Sequence, residues 1–135
     1  EVPRACMRAD ALADSVDTFS FGTNDLTQMM YGLSRNDTAG LISEYIDQGI
    51  FPNDPFKTID REGVGKMMKR AISLGRRVKP NLRLGVCGAQ TGDQASVEFF
   101  QEIGINYVSC SPFRVPVARL AAAQAAIRLE DSREE

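Results

Sequence analysis

The sequence predicts an α/β protein in which parallel strands are covered by helices. Two observations carry that prediction. Three short apolar runs of strand character, at 17–22, 82–87 and 105–110, are separated by stretches with helical periodicity. The resulting order, helix, strand, helices, strand, helix, strand, helix, is the alternation that lays strands side by side in one direction.

Each element has a local reason. Residues 3–16, PRACMRADALADSV, read as a helix: Pro3 suits a first turn, and Ala, Met and Leu are good helix formers. Residues 17–22, DTFSFG, read as a strand with Phe19 and Phe21 on one face, ended by Gly22. Residues 24–33 are expected to be helical, with Asn24 as N-cap. A further helix is expected near 40–48, followed by a loop at GIFPNDPF, where Gly and Pro interrupt regular structure. Residues 61–75 read as an amphipathic helix, with Val64, Met67, Met68, Ala71 and Ile72 at helical spacing and Gly75 as its end. LRLGVC (82–87) is the second strand, DQASVEFFQEI (93–103) a helix capped by Asp93, and INYVSC (105–110) the third strand. An Ala-rich helix is expected over 114–129, and the tail EDSREE at 130–135 is expected to fray.

Three strands make a poor free-standing parallel sheet, because such sheets are normally buried on both faces. Neighbouring strands are therefore expected from sequence outside these 135 residues or from another chain. The C-terminal half of a (β/α)8 TIM barrel fits, since a complete barrel needs ~250 residues. The first residue is Glu1 rather than Met, in keeping with a piece of something longer. Residues 1–129 are expected to form this partial barrel domain.

Composition narrows the function. Apolar residues make up 43% and charged residues 25%, with a net charge of −2 and scattered basic residues. That balance fits a soluble globular domain and gives no sign of a nucleic-acid or membrane surface. The apolar runs fall far short of the ~20 residues that span a bilayer. No signal peptide is recognisable, and three widely spaced cysteines (Cys6, Cys87, Cys110) form neither a disulfide framework nor a CxxC pair. A cytoplasmic location is the expectation. The chain contains no histidine, which excludes a Ser-His or Cys-His nucleophile pair within it.

The stretch FSFGTNDLTQ (19–28) places a hydroxyl, an amide and a carboxylate directly after a strand. On the strand map, Thr23, Asn24 and Asp25 follow the first strand, Cys87 closes the second, Cys110 and Ser111 close the third, and Glu1 precedes the first helix. All of these fall at carboxyl ends of strands, where α/β barrels and open sheets build their sites. Glu1 and Asp25 can then hold one hard cation, since magnesium typically takes one or two carboxylates and fills its shell with water and phosphate. Asn24 and nearby backbone N–H groups can hold substrate oxygens, and a thiol at Cys87 can give or take a proton. Plainer readings stand beside these. Asn24 and Asp25 also suit helix capping, Glu1 a solvated surface carboxylate, and Cys6, Cys87 and Cys110 small apolar core residues. Arg114 and Arg119 suit solvated or paired helix charges. From the residues alone the reading reaches a partial α/β barrel with a candidate metal–phosphate site.

EVPRA, FSFGTNDLTQMMYG, GVCG and YVSCSPFRVPVARLAAAQAA resemble the C-terminal phosphoenolpyruvate/pyruvate-binding barrel of the pyruvate, phosphate dikinases, within the family of PEP-utilising enzymes. GTNDLTQ is shared with the wider family, including phosphoenolpyruvate synthase and the first enzyme of the sugar phosphotransferase system. SCSPFRVPVARLAAAQAA is more particular to the dikinases. The resemblance implies that Glu1 and Asp25 ligate Mg2+, that Gly22, Thr23 and Asn24 contact substrate, and that Cys87 is the catalytic thiol that protonates the methylene carbon of the pyruvate enolate. It implies a phosphoryl-carrying histidine and an ATP site on other domains of the same enzyme, and a homodimer formed through the barrel. Two departures follow. Gly88-Ala89-Gln90-Thr91-Gly92 stands where the dikinase pattern runs Gly-Glu-His-Gly-Gly, and the arginines expected to grip phosphate come from earlier strands outside this chain. A synthase-like enzyme, or a non-catalytic remnant or dimerisation module, are the alternatives, and the chain on its own is expected to be inactive.

Overall fold

The computed structural model describes the backbone of residues 1–134 and the side chains up to residue 131. Three parallel strands form one sheet in the order β1-β2-β3, with β1 at Thr18–Gly22, β2 at Arg83–Cys87 and β3 at Tyr107–Ser109. β1 and β3 are thus the edge strands. Phe19 pairs with Leu84, Phe21 with Val86, and Val86 with Val108. Side chains alternate along a strand, so these residues share the face that packs on the helices, as expected for Phe19 and Phe21. The partners between them, Ser20 with Gly85, Gly22 with Cys87, Gly85 with Tyr107 and Cys87 with Ser109, line the other face. That face is small and polar, apart from the ring of Tyr107 lying over Gly85.

The first predicted helix is two short ones, α1 (Pro3–Met7) and α2 (Ala9–Ala13), broken at Arg8, whose φ of −114° and ψ of 25° leave the helical region. The break lets Cys6, Ala9 and Ala13 all be buried, with both helices against α5. α3 (Thr23–Tyr31) starts directly from β1 and ends at Gly32 in the left-handed region, φ 63°. Asn24 does not cap it: Gly22 occupies the N-cap position, and the Asn24 side chain is used elsewhere. α4 spans Ala39–Asp47.

α5 spans Val64–Val78 and buries Val64, Met68, Ala71, Ile72 and Gly75. It starts three residues later than the periodicity predicts, because the Asp60 carboxylate accepts the N–H groups of Glu62, Gly63 and Val64 at 3.0, 3.0 and 3.2 Å. Gly75 does not end it. A Cβ there would lie 2.8 Å from both Leu82 and Phe19, so this glycine sits inside the helix to let β1 and α5 approach.

α6 (Gln94–Glu102) carries the predicted cap, with Asp93 accepting from the Ser96 N–H at 2.9 Å. β3 is shorter than predicted because Asn106 brackets Leu84: its N–H donates to the Leu84 carbonyl and its side-chain oxygen accepts the Leu84 N–H, each at 2.8 Å. After a 3₁₀ turn at Pro112–Arg114, α7 spans Val115–Glu134, running on past the predicted end at 129. Glu135 lies outside the described residues. α7 lays Ala118, Ala121 and Ala125 against α6, at the spacing of one helix face. No helix among the described residues is long and apolar enough to cross a membrane.

Candidate active site

The register of β1 and β2 ends with Gly22 opposite Cys87. The turn into α3 therefore lies beside the Cys87 thiol at the carboxyl ends of two neighbouring strands. Cys87 is exposed, unlike a packed core cysteine, whereas Cys6 is buried and Cys110 is half-buried just beyond β3. Ser109 stands opposite Cys87 on its other side.

Glu1 lies against the end of β1. A Cβ on Gly22 would be 2.7 Å from Glu1 Oε2 and 2.9 Å from Glu1 Cβ, so the glycine leaves the space this side chain fills. Asp25 is exposed in the first turn of α3, where the helix dipole favours a carboxylate. Its Oδ1 accepts from Gln28 Nε2 at 3.0 Å, and Gln28 Oε1 accepts the Arg35 N–H at 2.8 Å. Among the described residues no group of three or more Asp, Glu, His or Cys side chains gathers as a ligand cluster.

The loop after Cys87 is tied to the α3 turn side chain by side chain. Gly88 has φ 129°, in the region that favours glycine, and a Cβ there would lie 2.2 Å from Thr23 Oγ1. Thr23 is buried, and its Oγ1 lies 2.9 Å from the Cys87 carbonyl and 2.8 Å from Gln90 Oε1, so one proton faces two acceptors. Asn24 Oδ1 accepts the Ala89 N–H at 3.0 Å. Thr91 Oγ1 donates to the Gly88 carbonyl at 2.6 Å, with the Ser109 carbonyl at 3.2 Å.

A cleft of about 760 Å³ opens beside this loop, bounded by Ala89 and Gly92 on one wall and carrying Arg35, Lys57 and Arg114. Lys57 pairs with Asp54 at 3.5 Å, and Arg114 Nη1 donates to the Gly92 carbonyl at 3.3 Å. Asp93, also on the cleft, is engaged in capping α6. No sequence pattern singles out Arg35, and Gln90 is marked in the sequence only as a departure from the dikinase pattern, with no sign of its hydrogen bonds. Arg35 sits in an irregular segment, and the partners of Gln90 are 67, 63 and 35 residues away along the chain.

Residues 1–127 match the family described as PEP-utilising enzyme, PEP-binding domain. Among curated proteins, the chain is similar to the pyruvate, phosphate dikinase of Giardia intestinalis, with 57% identity over 128 residues, or 95% of this chain. It is 57% identical over 127 residues to that of Rhizobium meliloti, and 53% identical over 127 residues to that of Clostridium symbiosum. It spans only 14% of the length of each of these relatives. The strand-end geometry and the match over residues 1–127 together make this chain a member of the PEP-utilising enzyme family, in the part that is its PEP-binding domain.

Proposed function

We propose that the chain is the C-terminal half of a (β/α)8 TIM barrel that binds phosphoenolpyruvate and pyruvate in a pyruvate, phosphate dikinase, the enzyme that converts ATP, pyruvate and phosphate to AMP, phosphoenolpyruvate and diphosphate. The observation that carries the reading is the Gly22–Cys87 pairing, which sets an exposed thiol beside a carboxylate-bearing turn at the strand ends. The face of the sheet that carries Ser20, Gly22, Gly85, Cys87 and Ser109 supports it further, since small residues there suit a barrel interior completed by further strands.

Glu1 and Asp25 hold Mg2+ in this reading. Bound there, the ion supplies positive charge toward oxygens of the substrate. Gly22 and the first turn of α3 present backbone N–H groups that lack intrahelical partners, and Asn24 keeps its amide N–H2 for substrate because its oxygen is bound to Ala89. Thr23 contributes through backbone, its hydroxyl being committed to Cys87 and Gln90. Cys87 gives its thiol proton to the methylene carbon of the pyruvate enolate: a C–H bond forms, the S–H bond breaks, and a thiolate remains. In reverse the thiolate takes a methyl proton from pyruvate. Arg35 and Arg114 give the neighbouring cleft cationic walls suited to phosphoryl oxygens. In this reading the phosphoryl carrier is a histidine on another domain of the same enzyme, in keeping with the lack of histidine in these 135 residues, and ATP is bound by a further ATP-grasp domain. A cytoplasmic homodimer joined through the barrel completes the reading.

Two assays on the full-length protein test it. Oxalate, an enolate mimic, is expected to bind only with magnesium, and Asp25→Asn to abolish that binding. The protein is expected to exchange pyruvate methyl protons with solvent, and Cys87→Ser to stop the exchange while oxalate still binds. Absence of both activities in the parent would overturn the reading in favour of a non-catalytic module, which the altered Ala89-Gln90-Thr91 turn favours. Exchange without conversion of phosphate to diphosphate would favour the synthase-like alternative.

A further inference from the structure

Gln90 is fully buried, yet its amide is the meeting point of three segments. Its Oε1 accepts from Thr23 Oγ1 at 2.8 Å, at the start of α3. Its Nε2 donates to the Pro55 carbonyl at 2.9 Å, in the loop after α4, and reaches Thr27 Oγ1 at 3.5 Å, one helical turn beyond Thr23. Among the described residues every buried side-chain nitrogen and oxygen has a partner, and no water is needed to complete this cluster.

Buried amides often serve only as structural glue. Here the connections have a direction. Gln90 lies three residues beyond Cys87, and the Thr23 proton that it accepts is shared with the carbonyl of Cys87 itself, 2.9 Å away. Gly88, between them, has no Cβ and so lets Thr23 sit against the loop. Resting on the function proposed above, we infer that Gln90 is a positioning residue for proton transfer. Acting through Thr23 and the Cys87 carbonyl, it holds the thiol beside the β1–α3 turn without touching substrate. Removing its hydrogen bonds frees the Thr23 proton wholly for Cys87 and leaves the Pro55 carbonyl without its donor, so the loop bearing the thiol shifts relative to the carboxylates. Proton transfer is steep in distance, so the chemical step suffers where ligand binding does not.

The test uses the full-length protein and Gln90→Met, which keeps the length and bulk of the side chain and removes both hydrogen-bonding groups. Gln90→Asn, which withdraws the same groups by one methylene, is the second variant should the first not unfold cooperatively. Pyruvate methyl-proton exchange is expected to fall about 10- to 100-fold, the range that small misplacements of a reacting group produce. Magnesium-dependent oxalate affinity is expected to stay within about threefold. The rate of Cys87 alkylation by iodoacetamide is expected to change in the same variant. In a double-mutant cycle with Thr23→Val, the losses in exchange are expected to be non-additive. Unchanged exchange and alkylation overturn the proposal, as does an equal loss of exchange and oxalate binding, or strict additivity with Thr23→Val. If the parent itself neither exchanges pyruvate protons nor binds oxalate, the functional reading fails. The alkylation rates then still decide whether Gln90 positions the thiol.

Discussion

The hydroxyl of Thr23 occupies the space in which a side chain on Gly88 would begin, since a Cβ at Gly88 would lie 2.2 Å from Oγ1. Thr23 opens α3 directly after β1 and Gly88 follows β2, so the contact ties the start of α3 to the loop after Cys87. Gly88→Ala is therefore expected to destabilise the protein by about 1–3 kcal/mol, combining a strained positive φ with a clash against a buried side chain. Urea unfolding of the full-length protein measures it. A change below about 0.5 kcal/mol would show that the two segments separate freely.

Gly22 makes a contrasting case. Its φ of −87° is ordinary, so alanine there adds no backbone strain. The nearest atoms to the new methyl all belong to the Glu1 side chain, Oε2 at 2.7 Å and Cβ at 2.9 Å. Gly22→Ala is expected to leave the unfolding midpoint nearly unchanged and to weaken magnesium-dependent oxalate binding about 10- to 100-fold, the effect of disturbing a metal ligand's surroundings. Isothermal titration at fixed magnesium gives the answer, and an unaltered affinity would remove Glu1 from the metal site.

How far the sequence could lead is visible in these two glycines. β1 and β2 were legible because short apolar runs bounded by glycine, Gly22 ending the first and Gly88 following the second, need no partner to be read, and the Asp93 cap was legible because its partner, Ser96, is three residues away. Gly75 misled because a glycine that ends a helix and one that lets a strand approach it look alike in one dimension; only Phe19 and Leu82, folded against it, separate them. The placement of Thr23, Asn24, Asp25 and Cys87 at strand ends followed from element order alone. The roles of Thr23, Asn24 and Gln90 did not, because hydrogen bonds spanning more than sixty residues leave no periodic trace.

Phe99 closes the core beneath α5. A Cβ on Gly65 would lie 2.6 Å from its Cζ, and the ring already has Arg61 and Lys69 over it at 5.1 and 5.3 Å. Gly65→Ala is expected to cost about 1–3 kcal/mol by overpacking, despite the better helix propensity of alanine. Thermal unfolding checks this, and a stabilised variant would mean that the ring shifts at no cost.

Burial holds the Tyr31 phenol above its usual range, and the Asp60 carboxylate that it hydrogen-bonds raises it further. A raised folded value contributes stability that is fully present below the ordinary phenol pKa, about 10, and is lost as pH rises through the folded value. Tyr31→Phe is expected to flatten the alkaline fall in stability and to leave the pH dependence on the neutral-to-acid side nearly unchanged. Urea midpoints measured between neutral and strongly alkaline pH test it, and an unchanged alkaline slope would place that loss elsewhere.

The outer edge of β1 has a direction as well as free pairing capacity. β1, β2 and β3 all run the same way, so their carboxyl ends collect at one rim. A strand that joined β1 head-to-tail would satisfy the same backbone groups and bury similar surface, but would deliver its amino end to that rim. Stability by itself could not tell the two arrangements apart, whereas chemistry could. The direction of a strand added at this edge is therefore a property that a folding assay would pass over and ligand binding would report.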